Sequence, residues 1–513
     1  MELQVVNTTK NYDIVEPRAS AMIQSLRAYG YSLNTAIADL IDNSISAKAQ
    51  NVWLHMHWEG SNSWISIVDD GFGMDEKKLI NAMRPGSKNP LEERSVEDLG
   101  RFGLGLKTAS FSQCCSLTVA SRISGGTTNF RRWDLDYVGQ HNQWRLLKTI
   151  RKGSENIFTK ISDLEHGTIV LLENIDRICS KQDKNDESHR RRFMDRISGL
   201  QAHLSMVFHR FLEDRNGLNI YINGTDVDHR IAPWDPFLSS NISTQKQPSE
   251  RKVFHDGVVE IEGYVLPHKD KLGPVEYGHA AGPGGWNAQQ GFYVYRNKRL
   301  LVAGSWLELG GRRHGWTKEE HYKLARIKID IPNCMDSTWQ LDVKKSKAMP
   351  PTIATGWLKD YADEVRKVAR SVFSHRGQYG DRRRTEDISR LWMTATRDGS
   401  QIYRIDRNHI LIRQLLKHSD ALKSEIEATL RLLEETVPVQ QIWLDMAEHS
   451  ERSNEPMGGL SENQVMALVD TTVSSLSGQG RKPCITTIEY VCNMEAFIQF
   501  SDIIRAKYLG VDS

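Results

Sequence analysis

Ile37-Ala38-Asp39-Leu40-Ile41-Asp42-Asn43-Ser44 has the apolar spacing of a helix, with its polar members at fixed places on that helix. Positions 39 and 43 are four apart, so both side chains project from one face, one turn apart. An amide and a carboxylate so placed can serve a single ligand, though the pair alone is equally what a solvated helical face shows. In such a pair Asn43 can act as a neutral oxygen donor to Mg²⁺, and Asp39 can accept a proton from water. Asp42 is expected to point off to another face of the helix.

Three further segments extend this reading. Asp69-Asp70-Gly71-Phe72-Gly73-Met74 follows a strand expected over Trp64 to Val68. Its glycines let the backbone turn sharply against a ligand, and the Asp70 carboxylate accepts from an exocyclic amine such as that of adenine. Gly100-Arg101-Phe102-Gly103-Leu104-Gly105-Leu106-Lys107 places three glycines before a small-residue helical start, an arrangement that cradles phosphate. It is neither a dinucleotide fingerprint, since its glycine spacing is reversed, nor a Walker A loop, since Leu106 separates Gly105 from Lys107-Thr108. His166-Gly167-Thr168 opens another strand, by itself an ordinary strand start, where a threonine hydroxyl beside a flexible glycine can complete a base pocket.

The order and spacing of these four segments resemble the GHKL ATPases, the class of gyrase B, heat-shock chaperones, histidine kinases, MutL and MORC proteins. The resemblance covers roughly residues 20–350 and is nearest to the MutL/MORC-like branch. It implies an α/β fold: a Bergerat-type α/β sandwich over 1–180, a ribosomal-protein-S5-like α+β transducer over 190–350, and a mainly helical region over 351–513 for dimerisation or partner binding. It also implies roles. Asn43 holds Mg²⁺; Asp70, Gly71, Gly73, Met74 and Thr168 form the base pocket; Gly100 to Lys107 wraps the phosphates. Residues 74–99, with Lys88, form an ATP lid, and one of Lys344, Lys345 and Lys347 reaches the γ-phosphate. Where the family carries glutamate this chain has Asp39, one methylene shorter, so slow hydrolysis is expected. Tyr295-Arg296-Asn297-Lys298-Arg299 looks like the strand-turn-strand of MutL and MORC second domains. Fewer than 40 residues precede the Asp39 helix, and they hold no histidine, which disfavours a histidine kinase.

The rest of the chain narrows the class. Over 513 residues, 39% hydrophobic and 26% charged composition describes a globular, multidomain protein. Sixty-seven basic against 65 acidic residues leave +2, so attraction to nucleic acid must be local; Arg190-Arg191-Arg192, Arg312-Arg313-His314 and Asp360 to Arg384 are the basic stretches. No 18 apolar residues run together, the N-terminus lacks an apolar leader, and the six cysteines form no C-x-x-C pair, so a reduced, cytoplasmic setting without structural zinc is expected. Three functions stay open: a nucleotide-gated homodimeric clamp on DNA, in repair, restriction or phage defence beside a partner nuclease; a chaperone-like ATPase acting on client proteins; and an ATP-binding scaffold with negligible turnover.

Overall fold

A computed structural model describes residues 15, 17–87, 105–179, 185–215, 217–310, 315–341, 348–374, 389–397, 400–417, 422–439, 441–442, 457, 459–478 and 482–510. Residues 1–378 form one compact unit and residues 379–513 a second.

The first unit opens with helices α1 (Ala19–Arg27) and α2 (Leu33–Ser46), followed by strands β1 (Asn51–His57) and β2 (Trp64–Asp69). Helices α3 (Glu76–Met83) and α4 (Gly105–Phe111), strands β3 (Ser116–Arg122) and β4 (Asn129–Asp134), short helices α5 (Leu135–His141) and α6 (Glu155–Phe158), and strand β5 (Gly167–Glu173) come next. Then follow α7 (Glu187–Val207), α8 (His209–Leu212) and β6 (Asn219–Ile222). Six strands make one sheet in the order β4-β3-β5-β2-β1-β6. All its pairs are antiparallel except β1 with β6.

Strand alternation sorts the two faces of this sheet. Ile65, Ile67, Leu117, Val119, Val170 and Leu172 join the main core with Ile37, Leu40 and Ile41 of α2 and Leu200 and Leu204 of α7. Val68, Ala120, Ile169 and Leu171 point the other way, under Phe158 and Ile161. The boundary expected between 180 and 190 therefore does not separate two cores. α7 packs on the first sheet, and β6, read from sequence as part of the second domain, completes that sheet beside β1.

A second sheet has the order β11-β10-β12-β9-β7, with β8 on β9. Its strands are β7 (Gln245–Lys246), β8 (Glu250–Phe254), β9 (Gly257–Val265), β10 (Gly291–Arg296), β11 (Arg299–Ser305) and β12 (Ala325–Ile331). Helices α9 (Pro274–Ala281) and α10 (Gly285–Ala288) precede β10, and the long α11 (Thr352–Ser374) follows β12. α11 buries Leu358, Ala362 and Val365 with Ile261, Ile327 and Ile329. The opposite side, through Tyr293, Tyr295 and Leu300, merges with Phe208 and Phe237 in the core of the first sheet. The two sheets thus share one apolar interior.

The helical region expected over 351–513 loses α11 to the second sheet; the second unit that remains is mainly helical, with one addition, the hairpin of β13 (Trp392–Arg397) and β14 (Ser400–Ile405). Its core holds Val465, Val469 and Val473 of helix Glu462–Ser477 against Ile488 and Val491 of helix Ile485–Cys492. Among the described residues no helix is long and apolar enough to cross a membrane.

Candidate functional site

Helix α2 starts at Ser32, whose Oγ accepts from Thr35 N at 3.2 Å. It is enclosed on most of its circumference, so even Asp39 and Asp42 are buried. Asn43 is exposed, as is Ser46 at the end of the helix. The Asn43 Nδ2 donates to the Asp39 carbonyl at 3.2 Å, and its Oδ1 is the acceptor atom of the amide. Asp39 Oδ2 accepts from the Tyr31 hydroxyl at 2.9 Å, and Gln113 Nε2 holds the Tyr31 carbonyl at 3.1 Å. The carboxylate is therefore oriented by a partner that sequence spacing gives no reason to select.

The structure separates the two aspartates at the end of β2. Asp70, expected to accept from a base amine, faces away: Oδ1 accepts from Gln50 N at 2.8 Å and Asn51 N at 2.9 Å, and Oδ2 from Asn51 Nδ2 at 2.7 Å. It fastens the start of β1. Asp69 is the carboxylate turned inward, 5% exposed, with Oδ2 accepting from Ser44 Oγ at 2.8 Å and Oδ1 from Gly71 N at 3.0 Å. Burial pushes its pKa up to about 6, against the pull of those hydrogen bonds. The sequence does carry a signal for this. Alternation through Ile65 and Ile67, both on the helix side, puts residue 69 and not 70 on that side.

Around Asp69 the sheet supplies a second polar set. Thr168 lies opposite it in the β2–β5 register, and Thr168 Oγ1 and Ser121 Oγ are 2.8 Å apart. Ser121 Oγ in turn accepts from Met74 N at 2.8 Å, and His166 Nδ1 meets the Gly71 carbonyl at 2.7 Å. Both glycines of the turn are required by contact. A Cβ on Gly73, at φ +68°, would lie 1.8 Å from the Arg122 carbonyl oxygen, and one on Gly71 would lie 2.7 Å from Ala47 Cβ. Ser44 to Asp69 thus ties the helix bearing Asn43 to the strand bearing the buried acceptor, at one end of the sheet.

At the start of α4, Gly105 and Leu106 are half-buried and Lys107 is buried. Lys107 Nζ donates to the Ala82 carbonyl at 2.9 Å, in the last turn of α3, and burial lowers its pKa to about 8. Lys88, Gly100, Arg101, Phe102, Gly103 and Leu104 lie outside the described residues, as do Lys344, Lys345 and Lys347. Among the described residues no three His, Cys, Asp or Glu side chains gather as a metal cage. The donor set instead suits magnesium shared with phosphates: one neutral oxygen, from Asn43, beside a buried helix.

Residues 31–168 match the family described as histidine kinase-, DNA gyrase B- and HSP90-like ATPases. This segment is a GHKL-type ATPase domain, and its sheet and helical layer are the Bergerat-type sandwich expected from the motifs. A stretch of 128 residues is 27% identical to the DNA mismatch repair protein MutL of Rhizorhabdus wittichii, covering 25% of this chain and 21% of that relative. The match thus spans about a fifth of MutL's length. A crystal structure of the N-terminal domain of a DNA repair protein aligns over 69% of this chain and 96% of its own, at 15% identity and a TM-score of 0.39, too low to bear on function.

Proposed function

We propose that this domain binds Mg·ATP where α2 meets the end of β2, and that the chain is a nucleotide-gated clamp. The observation that carries the site is the Ser44–Asp69 hydrogen bond at 2.8 Å, which holds the Asn43 helix and a buried carboxylate as one rigid frame. In this reading Asp69, not Asp70, accepts from the adenine amine, with Thr168 and Ser121 beside it. Gly71 and Gly73 admit the base, and Asn43 Oδ1 holds magnesium. The metal supplies charge neutralisation at the phosphates. Asp39 takes the proton of the attacking water, held in place by Tyr31. Residues 74–104 act as lid and phosphate loop, Lys107 adds positive charge, and one of Lys344, Lys345 and Lys347 meets the γ-phosphate.

The short Asp39 carboxylate favours slow turnover. The MutL relative and the exposed Arg190-Arg191-Arg192 at the start of α7 favour DNA as the client; a cytoplasmic, homodimeric clamp that acts with an effector chain is the reading the motif resemblance adds. ATP hydrolysis by the full chain, measured with Asp39→Ala beside it and with duplex DNA or an unfolded protein added, tests this. Asp39→Ala is expected to bind ATP and not hydrolyse it, and DNA to raise the rate in a salt-sensitive way. Stimulation by the unfolded protein alone would transfer the role to a chaperone-like cycle, and parental turnover in Asp39→Ala would remove Asp39 as the base.

A further inference from the structure

The second aspartate of α2, Asp42, serves neither the nucleotide face nor solvent. Arg299, the first residue of β11, donates from Nε to Asp42 Oδ1 at 2.9 Å, with side chains 4% and 3% exposed. The guanidinium stacks 4.9 Å above the Phe208 ring and also donates from Nη1 to the Leu300 carbonyl. Nearby His203 is kept neutral, its pKa lowered to about 4 by burial first and by Arg299 second.

Arg299 closes a turn in which Asn297 (φ 48°) and Lys298 (φ 67°) are both left-handed, the geometry of a tight two-residue hairpin. Every residue of this turn is tied to a part of the chain outside the hairpin. Arg296 on β10 pairs with Asp336 at 2.6 Å, both side chains 2% exposed. Asn297 Nδ2 donates to Asn333 Oδ1 at 3.1 Å, and Lys298 Nζ reaches Asp214 at 2.6 Å. Asn333 and Asp336 belong to the segment that leads from β12 toward Lys344, while Asp42 adjoins Asn43.

Buried ion pairs are weak stabilisers, because desolvation offsets their attraction; what a well-formed pair supplies is fixed geometry. We propose that Arg299 is a positioning residue: through Asp42 it sets helix α2, and with it Asp39 and Asn43, in register with the β10–β11 hairpin, so that the hairpin and the nucleotide face move together. The catalytic consequence rests on the ATPase reading above; the mechanical coupling does not.

The test compares Arg299→Met, Asp42→Asn and the double variant in the full chain. Amide hydrogen exchange over residues 33–46, melting temperature, and kcat and KM for ATP are read in each. Arg299→Met removes the cationic partner of a buried carboxylate, so it is expected to melt lower and to exchange faster in α2 by about tenfold or more. The double variant removes both charges and is expected to regain most of the melting temperature. Its α2 exchange is expected to stay fast, with kcat down about tenfold or more and KM within about threefold. A double variant with parental α2 exchange and parental kcat overturns the proposal, because a merely structural pair behaves that way. A parental chain without ATP turnover would overturn the ATPase reading instead, and the exchange data, which need no nucleotide, then decide the coupling alone.

Discussion

Asp69→Asn separates the role of this carboxylate in binding from its effect on stability, with opposite signs. Burial lifts the Asp69 pKa from 3.8 to about 6. A folded value above the unfolded one means that the ionised side chain disfavours folding at neutral pH. That penalty disappears as pH falls through 6 and below 3.8. A rise of that size corresponds to roughly 3 kcal/mol. Asparagine carries no such penalty, but it loses one acceptor toward Ser44 or Gly71, about 1 kcal/mol. The variant is therefore expected to be more stable than the parent by roughly 1–2 kcal/mol at pH 7, the gain vanishing below about pH 4. Its Nδ2 would face the adenine amine donor to donor, so ATP affinity is expected to fall by roughly 30–150-fold. Asp70→Asn should do the reverse. It loosens the three bonds that fasten Gln50 and Asn51. Stability should drop by roughly 1–3 kcal/mol with ATP affinity within about threefold. Thermal melts between pH 3.5 and 7.5, alongside titration with a fluorescent ATP analogue, read both quantities. Loss of binding in Asp70→Asn and its retention in Asp69→Asn would refute the assignment.

Gly73→Ala forces a Cβ into the Arg122 carbonyl at a left-handed backbone; it is expected to lower stability by at least about 2 kcal/mol, seen by denaturant titration, and to abolish ATP binding. Tyr31→Phe removes the hydroxyl that orients Asp39; steady-state kinetics should show kcat falling by about threefold to thirtyfold with KM unchanged. ATP affinity should be bell-shaped in pH. It weakens below about 6 as Asp69 takes a proton, and above about 8 as Lys107 loses one, and the upper limb should flatten in Lys107→Met.

Much of the fold is legible in the sequence, and what is not has physical reasons. β1, β2, β3 and β5 can be bounded within a residue or two because each is a run rich in β-branched and apolar residues. β4 escapes such a reading: Asn129-Phe130-Arg131-Arg132-Trp133-Asp134 is an edge strand whose arginines hide its alternation. β6 is visible as a strand but not in its proper sheet, since nothing local shows that Asn219–Ile222 runs parallel beside β1. In the site, helical spacing puts Asn43 and Asp39 on one face, and only the order of the four motif segments singles them out. Asp69 is overshadowed by its neighbour when the glycine motif is taken as a turn and not as the end of an alternating strand. Tyr31, Ser44, Ser121 and Arg299 carry no local signal: each matters through a partner 8 to 257 residues away.

Isothermal titration of ATP into the full chain, with and without magnesium, tests the central claim most directly. The account predicts one ATP per chain, dependence on the metal, and loss of the heat in Asp69→Asn while that variant remains folded. A parental chain that takes up no ATP with magnesium supplied, or an Asp69→Asn variant that binds like the parent, contradicts it.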